Sequence, residues 1–233
     1  MARKKIKNPA DIRPALDRGT MSEDEQRRVV QMGPRALPEL LDAALDERGI
    51  LATDPATMLA VALVDAIGLP PQQAPRALDL YLSLPATADA VPSLGVMVGS
   101  AGPEAWELAL ARTESVTSPV LAARLGWVLA DSKLTGTQEA LTHLTQLAPS
   151  RMAWVLVTRA DPLLLPALDQ ALAHVSVPLD AEPQLYDALF HLVQKARELG
   201  ADAPRCLMLM QALVEQLREL ATEVRRRRDE LDG

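Results

Sequence analysis

Met32-Gly33-Pro34-Arg35-Ala36-Leu37-Pro38-Glu39-Leu40-Leu41-Asp42-Ala43-Ala44-Leu45 sets a glycine stop, a proline start and an apolar stripe side by side. Glycine carries no Cβ, so Gly33 suits the left-handed position that ends a preceding helix. Pro34 at a first helical position forfeits no hydrogen bond, because that N–H has no partner within the helix. Leu37, Leu40, Leu41 and Leu45 then recur at helical spacing, and one face of this second helix has to be buried against a neighbour. The stretch reads as the joint of a helical hairpin. Its first helix begins at Ser22, where Glu25 three residues on completes a capping box, and runs to Met32. Its second runs from Pro34 to about Glu47.

The same punctuation recurs along the chain. There are 18 prolines, and Asn8-Pro9, Asp54-Pro55, Gly102-Pro103, Ser118-Pro119, Asp161-Pro162 and Glu182-Pro183 pair a capping or turn residue with a first-position proline. Further helix pairs are expected at about 55–67 with 74–84, 88–98 with 103–113, 119–131 with 138–147, 151–159 with 162–175, and 183–199 with 204–230. Pro34-Arg35-Ala36-Leu37 recurs as Pro75-Arg76-Ala77-Leu78, an offset of 41, and Gly33 to Ala44 lines up with Asp161 to Leu172 at an offset of 128. The second helices of the pairs start at irregular steps, so a divergent array and a globular domain built of hairpins are both open. In either, a two-helix unit cannot bury its apolar face alone, and successive hairpins have to stack. Pro92 and Gly95 both fall inside 88–98, which predicts a break there. The glycines between Ser93 and Gly102 are read as close helix approach in preference to a hinge.

Over roughly 23–48 the pattern resembles the bacterial HEAT-repeat family, in which a Gly-x-x-Ala-Leu-x-x-Leu-Leu-like stretch opens the second helix of each repeat. The resemblance implies an all-α fold, a right-handed α-α superhelix or HEAT-like solenoid of about six irregular helical hairpins. It also implies a non-catalytic protein–protein interaction scaffold or adaptor. The alternative is an enzyme or nucleic-acid-binding module on the same fold. Some HEAT-like proteins are alkylpurine DNA glycosylases, which use aromatic residues and an acidic residue in a basic concave channel. Others are phycobilin lyases, for which this chain has no residue-level motif.

Composition agrees with an all-α class independently of any resemblance. Leu and Ala make up about a third of the 233 residues while aromatics are 3%, a mixture rich in helix formers and poor in strand formers. The longest apolar run, Met58 to Val64, stops at Asp65 and is far short of the roughly 20 residues that span a bilayer. No apolar leader follows the basic start. With Cys206 the single cysteine, no intrachain disulfide can form, and a cytoplasmic location is expected.

Charge is unevenly spread. The net charge is −7, yet Arg3, Lys4, Lys5 and Lys7 make residues 1–8 a basic N-terminus. Arg225, Arg226, Arg227 and Arg228 dominate the 225–233 end. Residues 9–224, taken as one domain, hold 16 basic and 28 acidic groups, net −12. Phosphate recognition needs clustered Lys and Arg to release counterions, so no specific nucleic-acid partner is expected. An acidic body fits instead a groove that takes a peptide, a helix or the basic face of another protein.

Chemistry-bearing patterns are few. His143, His174 and His191 are far apart in sequence and share no metal-ligand spacing, so no metal or cofactor is expected. Cys206 sits in the apolar run Cys206-Leu207-Met208-Leu209-Met210 and reads as a structural thiol. Glu104 and Glu107 are spaced to share a helix face, a commonplace of solvated helices. Trp106, Trp127 and Trp154 each lie in an apolar helical context and read as packing residues. No catalytic residue is assigned.

The last helix carries the candidate partner-binding residues. From about Pro204 it writes two apolar stripes, one through Leu207, Met210, Val214, Leu217, Ala221, Val224 and Leu231, interrupted by Arg228, and one through Leu209, Leu213 and Leu220. Up to about Ala221 it should pack against 183–199. Beyond, Val224 and Leu231 with Arg225 to Arg228 form either a charged extension that caps the array or a surface that docks an acidic partner or a second copy of the chain.

Overall fold

The structure is a computed structural model and describes residues 6–45, 55–84, 92–177 and 183–232. Among the described residues the regular structure is helical, with no strand. The second helix's end near Glu47, the start of the 88–98 helix and residues Arg3 to Lys5 lie outside them. The chain divides into two compact units, Met1–Leu141 and Thr142–Gly233. Their boundary falls inside the stretch 9–224 that the sequence reading takes as one domain.

In the first unit α1 (Ile12–Leu16) is followed by α2 (Glu23–Met32) and α3 (Leu37–Ala44), then α4 (Pro55–Ile67), α5 (Ala74–Ser83), α6 (Pro92–Gly99), α7 (Pro103–Thr113) and α8 (Pro119–Leu129). The unit boundary cuts α9 (Thr137–Leu147). The packing has two layers. Helices α2, α4, α6 and α8 pack in succession, with α3 against α4, α5 against α6 and α7 against α8. Ion pairs tie the second layer together: Arg76 of α5 reaches Asp42 of α3 at 2.6 Å, and Arg112 of α7 reaches Asp79 of α5 at 2.5 Å. All four side chains are well exposed, so these pairs fix register more than they stabilise.

The hairpin joint forms as expected at α2. The Ser22 hydroxyl accepts from the Glu25 N–H while the Glu25 carboxylate accepts from the Ser22 N–H. Leu37, Leu40, Leu41 and Leu45 are all buried. Gly33 has the positive φ that the reading requires, 57°, but its ψ of −139° lies outside the left-handed helical well.

Entry into the second helix differs from the expected proline start. Residues Gly33–Ala36 form a 3-10 turn, and α3 follows at Leu37. The physical cause is a second proline four residues on. In an α-helix the N–H of residue 38 would reach the Pro34 carbonyl, but Pro38 has no N–H, and the Leu37 N–H takes that carbonyl instead. The same Pro-x3-Pro device precedes α5, where Ala74 donates to Pro71, and α11 (Leu165–Ala173), where Leu165 donates to Pro162. This corrects the internal register. Pro34 corresponds to Pro71 and Pro38 to Pro75, an offset of 37 that replaces the 41 read from the shared Pro-Arg-Ala-Leu string. The offset of 128 to Pro162 and Pro166 stands.

The α6 segment resolves into close packing. Among the described residues α6 begins at Pro92. A Cβ on Gly95 would collide with the Trp127 Cβ and lie 2.8 Å from the Tyr81 hydroxyl oxygen. One on Gly99 would lie 2.6 Å from the Val128 carbonyl oxygen. The two glycines, one turn apart, let α6 and α8 approach backbone to side chain.

In the second unit α10 (Pro149–Arg159) packs on α11 and α12 (Pro183–Glu198), while α13 (Ala203–Asp232) packs on α12 and α11. The layer pattern of the first unit is repeated: α10 with α12, α11 with α13. Helix α10 ends on Ala160 in the left-handed conformation, φ 54° and ψ 37°, where a Cβ crowds the following carbonyl. Ala160 is exposed, so its methyl contributes no packing. Ala160→Gly is therefore expected to raise stability by about 1 kcal/mol, read as an increase in thermal midpoint. An unchanged or lower midpoint would show that the cap is unstrained.

Candidate functional site

Helix α13 is anchored at its start by three polar devices. The Asp202 carboxylate accepts from the Arg205 N–H at 2.8 Å, and the Asp202 N–H donates to the Asp169 carboxylate at 2.7 Å. Arg205 spreads its guanidinium over the end of α11, donating to the carbonyls of Leu172 at 3.1 Å, Ala173 at 3.0 Å and Val175 at 3.2 Å. Leu172 and Ala173 close α11 and Val175 follows it, so the arginine supplies donors to carbonyls at the end of that helix. Below Arg205, Cys206, Leu209 and Leu213 are buried, against the α12 face that buries Tyr186, Leu189 and Val193. Burial pushes the Cys206 thiol up, with Asp169 and Asp202 adding to the shift. A thiol held protonated in this way is a structural residue and not a nucleophile.

The packing stops earlier than the sequence reading sets it. Leu213 is 1% exposed and is the last buried residue of α13 among its described side chains, whereas Leu220, expected on the buried face, is 36% exposed. The reason is length. At 1.5 Å per residue the 16 residues of α12 span about 24 Å and the 30 of α13 about 45 Å, so α13 outruns its partner. The other stripe is largely uncovered: Leu207 is 50% exposed, Val214 40% and Leu217 42%, with Met210 half-buried between the first two and Ala221 exposed beyond them. Met208 is exposed beside them. Arg225 and Arg226 lie exposed further along the same helix. The backbone carries Val224, Arg227, Arg228 and Leu231 on α13 as well, but their side chains lie outside the described structure.

A concave surface lies in the first unit. A groove of about 580 Å³ runs between α2 and α4, with Val30, Leu59, Ala62 and Leu63 among its apolar lining and Glu23, Gln26 and Arg27 on its polar rim. Arg27 is within 3.6 Å of Glu23 and 3.4 Å of Asp24, all strongly exposed. The sequence reading did not single out this groove.

The remaining sequence candidates are scattered. His143, His174 and His191 are each exposed, and the His174 ring bonds only its own helix through the Gln170 carbonyl. Glu104 and Glu107 are exposed on α7. Among the described residues no group of three or more His, Cys, Asp or Glu side chains is placed to hold a metal ion. The tryptophans are partly, not fully, buried. Sequence reasoning missed Arg124, which is 2% exposed in α8 and donates to the carbonyls of Tyr81 at 3.3 Å, Leu82 at 3.1 Å and Leu84 at 2.6 Å. Its guanidinium also stands 5.8 Å from the centre of the Tyr81 ring. Its signal is an arginine set in Leu121-Ala122-Ala123-Arg124-Leu125-Gly126-Trp127, and its role is to cap α5 as Arg205 caps α11.

Comparison with protein-family models, with curated proteins and with solved structures finds no match.

Proposed function

We propose that this chain is a non-catalytic scaffold or adaptor that binds other proteins in the cytoplasm, each of its units a stretch of HEAT-like solenoid. The two-layer stacking of hairpins in each unit supports the architecture, as does the Pro-x3-Pro entry shared by α3, α5 and α11. The observation that carries the function is the uncovered stripe of α13. Leu207, Val214 and Leu217 keep 40% to 50% of their surface in water on one line of one helix. Scattered single apolar residues need no explanation, but a run of them along one extended helix, with the half-buried Met210 between Leu207 and Val214, marks an interaction surface. The acidic body opposes a nucleic-acid role. No helix among the described residues is long and apolar enough to cross a membrane.

The test is comparative capture. Val214→Glu with Leu217→Glu places two charges on the stripe at exposed positions, so fold and thermal midpoint should be retained. Proteins recovered on the unaltered chain from native lysate and lost on this double variant, at equal helicity, would bear the reading out. An identical set recovered on both would remove the stripe from the function. A chain ending at Glu223 asks the same of Arg225 to Arg228: loss of partner at unchanged stability assigns them a docking role, and unchanged recovery assigns them none.

A further inference from the structure

We propose that the outer stripe of α13, from Leu207 to Val224, docks an amphipathic helix of another protein whose flanks are acidic; this rests on the protein-binding reading above. The stripe itself specifies a helix. Leu207, Met210, Val214, Leu217, Ala221 and Val224 follow one another at steps of three and four, the spacing that keeps a seam facing a second helix and that an extended peptide, with its period of two, cannot match. From Val214 onward the described side chains are exposed apart from the partly covered Gln216.

Charge selects among helices. Arg218 follows Leu217 and Arg225 follows Val224, so both arginines stand on the same flank of the seam, and both are exposed. By register, Arg227 falls on the opposite flank and Arg228 takes the next seam position itself. The acidic residues Glu215, Glu219 and Glu223 fall at positions that flank neither side. Asp232 is the one acidic residue at a flanking position from Leu207 onward. A second copy of the chain is thereby disfavoured. In-register parallel pairing of two such helices puts position 228, an arginine, opposite itself on the seam, like charge against like. A partner with Glu or Asp on its flanks meets Arg218 and Arg225 with opposite charge and can cover the apolar line at the same time.

The experiment uses the full chain and two labelled three-heptad peptides, both with Leu on the seam, one with Glu and one with Lys on the flanks. Fluorescence anisotropy at moderate salt is expected to give a dissociation constant of about 10 μM or tighter for the Glu peptide. Binding of the Lys peptide should be at least about tenfold weaker. Arg218→Glu with Arg225→Glu should reverse that preference, which a merely structural role of the arginines would not do. Equal binding of both peptides overturns the acidic-flank proposal while leaving protein binding at the stripe intact. Binding of neither, with a dimer in sedimentation that Val214→Glu and Leu217→Glu dissociate, makes a second copy the occupant and also overturns it. Binding of neither by a monomeric chain overturns it too, and the capture experiment then decides the broader reading separately.

Discussion

Gly95→Ala is expected to destabilise the first unit by about 3 kcal/mol, although the substitution sits inside a helix where alanine is intrinsically better by about 1 kcal/mol. The two effects oppose each other, and geometry decides between them. The new methyl would collide with the Trp127 Cβ, an atom fixed to the α8 backbone that no rotamer change can move, and would press on the Tyr81 hydroxyl. Only separation of α6 from α8 relieves the overlap, and that separation uncovers Leu94, Met97 and Val98, each at most 1% exposed. Gly99→Ala meets a backbone carbonyl in the same way. For a chain of this length the loss corresponds to a fall in thermal midpoint of roughly 10 °C. A midpoint unchanged or raised for Gly95→Ala would mean that the helices do not approach as closely as described.

Arg124→Met should cost a similar amount, about 3 kcal/mol, by a different route. Methionine keeps much of the volume, so little of the loss comes from a cavity. The loss comes from the three carbonyls at the end of α5, Tyr81, Leu82 and Leu84, which keep their position but lose the guanidinium that all three share. Arg124→Lys restores one donor group without the planar fork and should recover only part of the stability. Urea unfolding followed by helicity is the measurement, with the midpoint falling and the slope kept if only native stability changes. A methionine variant as stable as the parent would show that water reaches those carbonyls, and that the arginine is a packing residue.

Much of this fold is legible in the sequence wherever local chemistry acts alone. Ser22 with Glu25, the burial of Leu37, Leu40 and Leu41, and the start of α7 at Pro103 follow from capping, spacing and the missing proline N–H. The internal register was misread because Pro34-Arg35-Ala36-Leu37 and Pro75-Arg76-Ala77-Leu78 match as strings but occupy different turns. The matching feature is the spacing of two prolines, visible only once its effect on one carbonyl is considered. Spacing alone puts Leu220 on a buried face, because the helical period records which side a residue is on, not how far along the helix a partner continues. Arg124 and the α2–α4 groove are tertiary: nothing local to Arg124 names Leu84 as its acceptor, 40 residues away. Of the candidate site, the stripe and the arginines were readable from spacing, whereas the exposure that makes the stripe a surface was not.

Beyond Leu213 helix α13 presents an apolar seam to solvent among its described side chains. Amide hydrogen exchange resolved along residues 203–232 tests it directly. The account predicts slow exchange through Leu213, rapid exchange from about Val214 onward in the free chain, and protection of that outer part on adding the Glu-flanked peptide. Equal protection of both parts in the free chain, unaltered by the peptide, would mean that the seam is already covered, and would contradict the account.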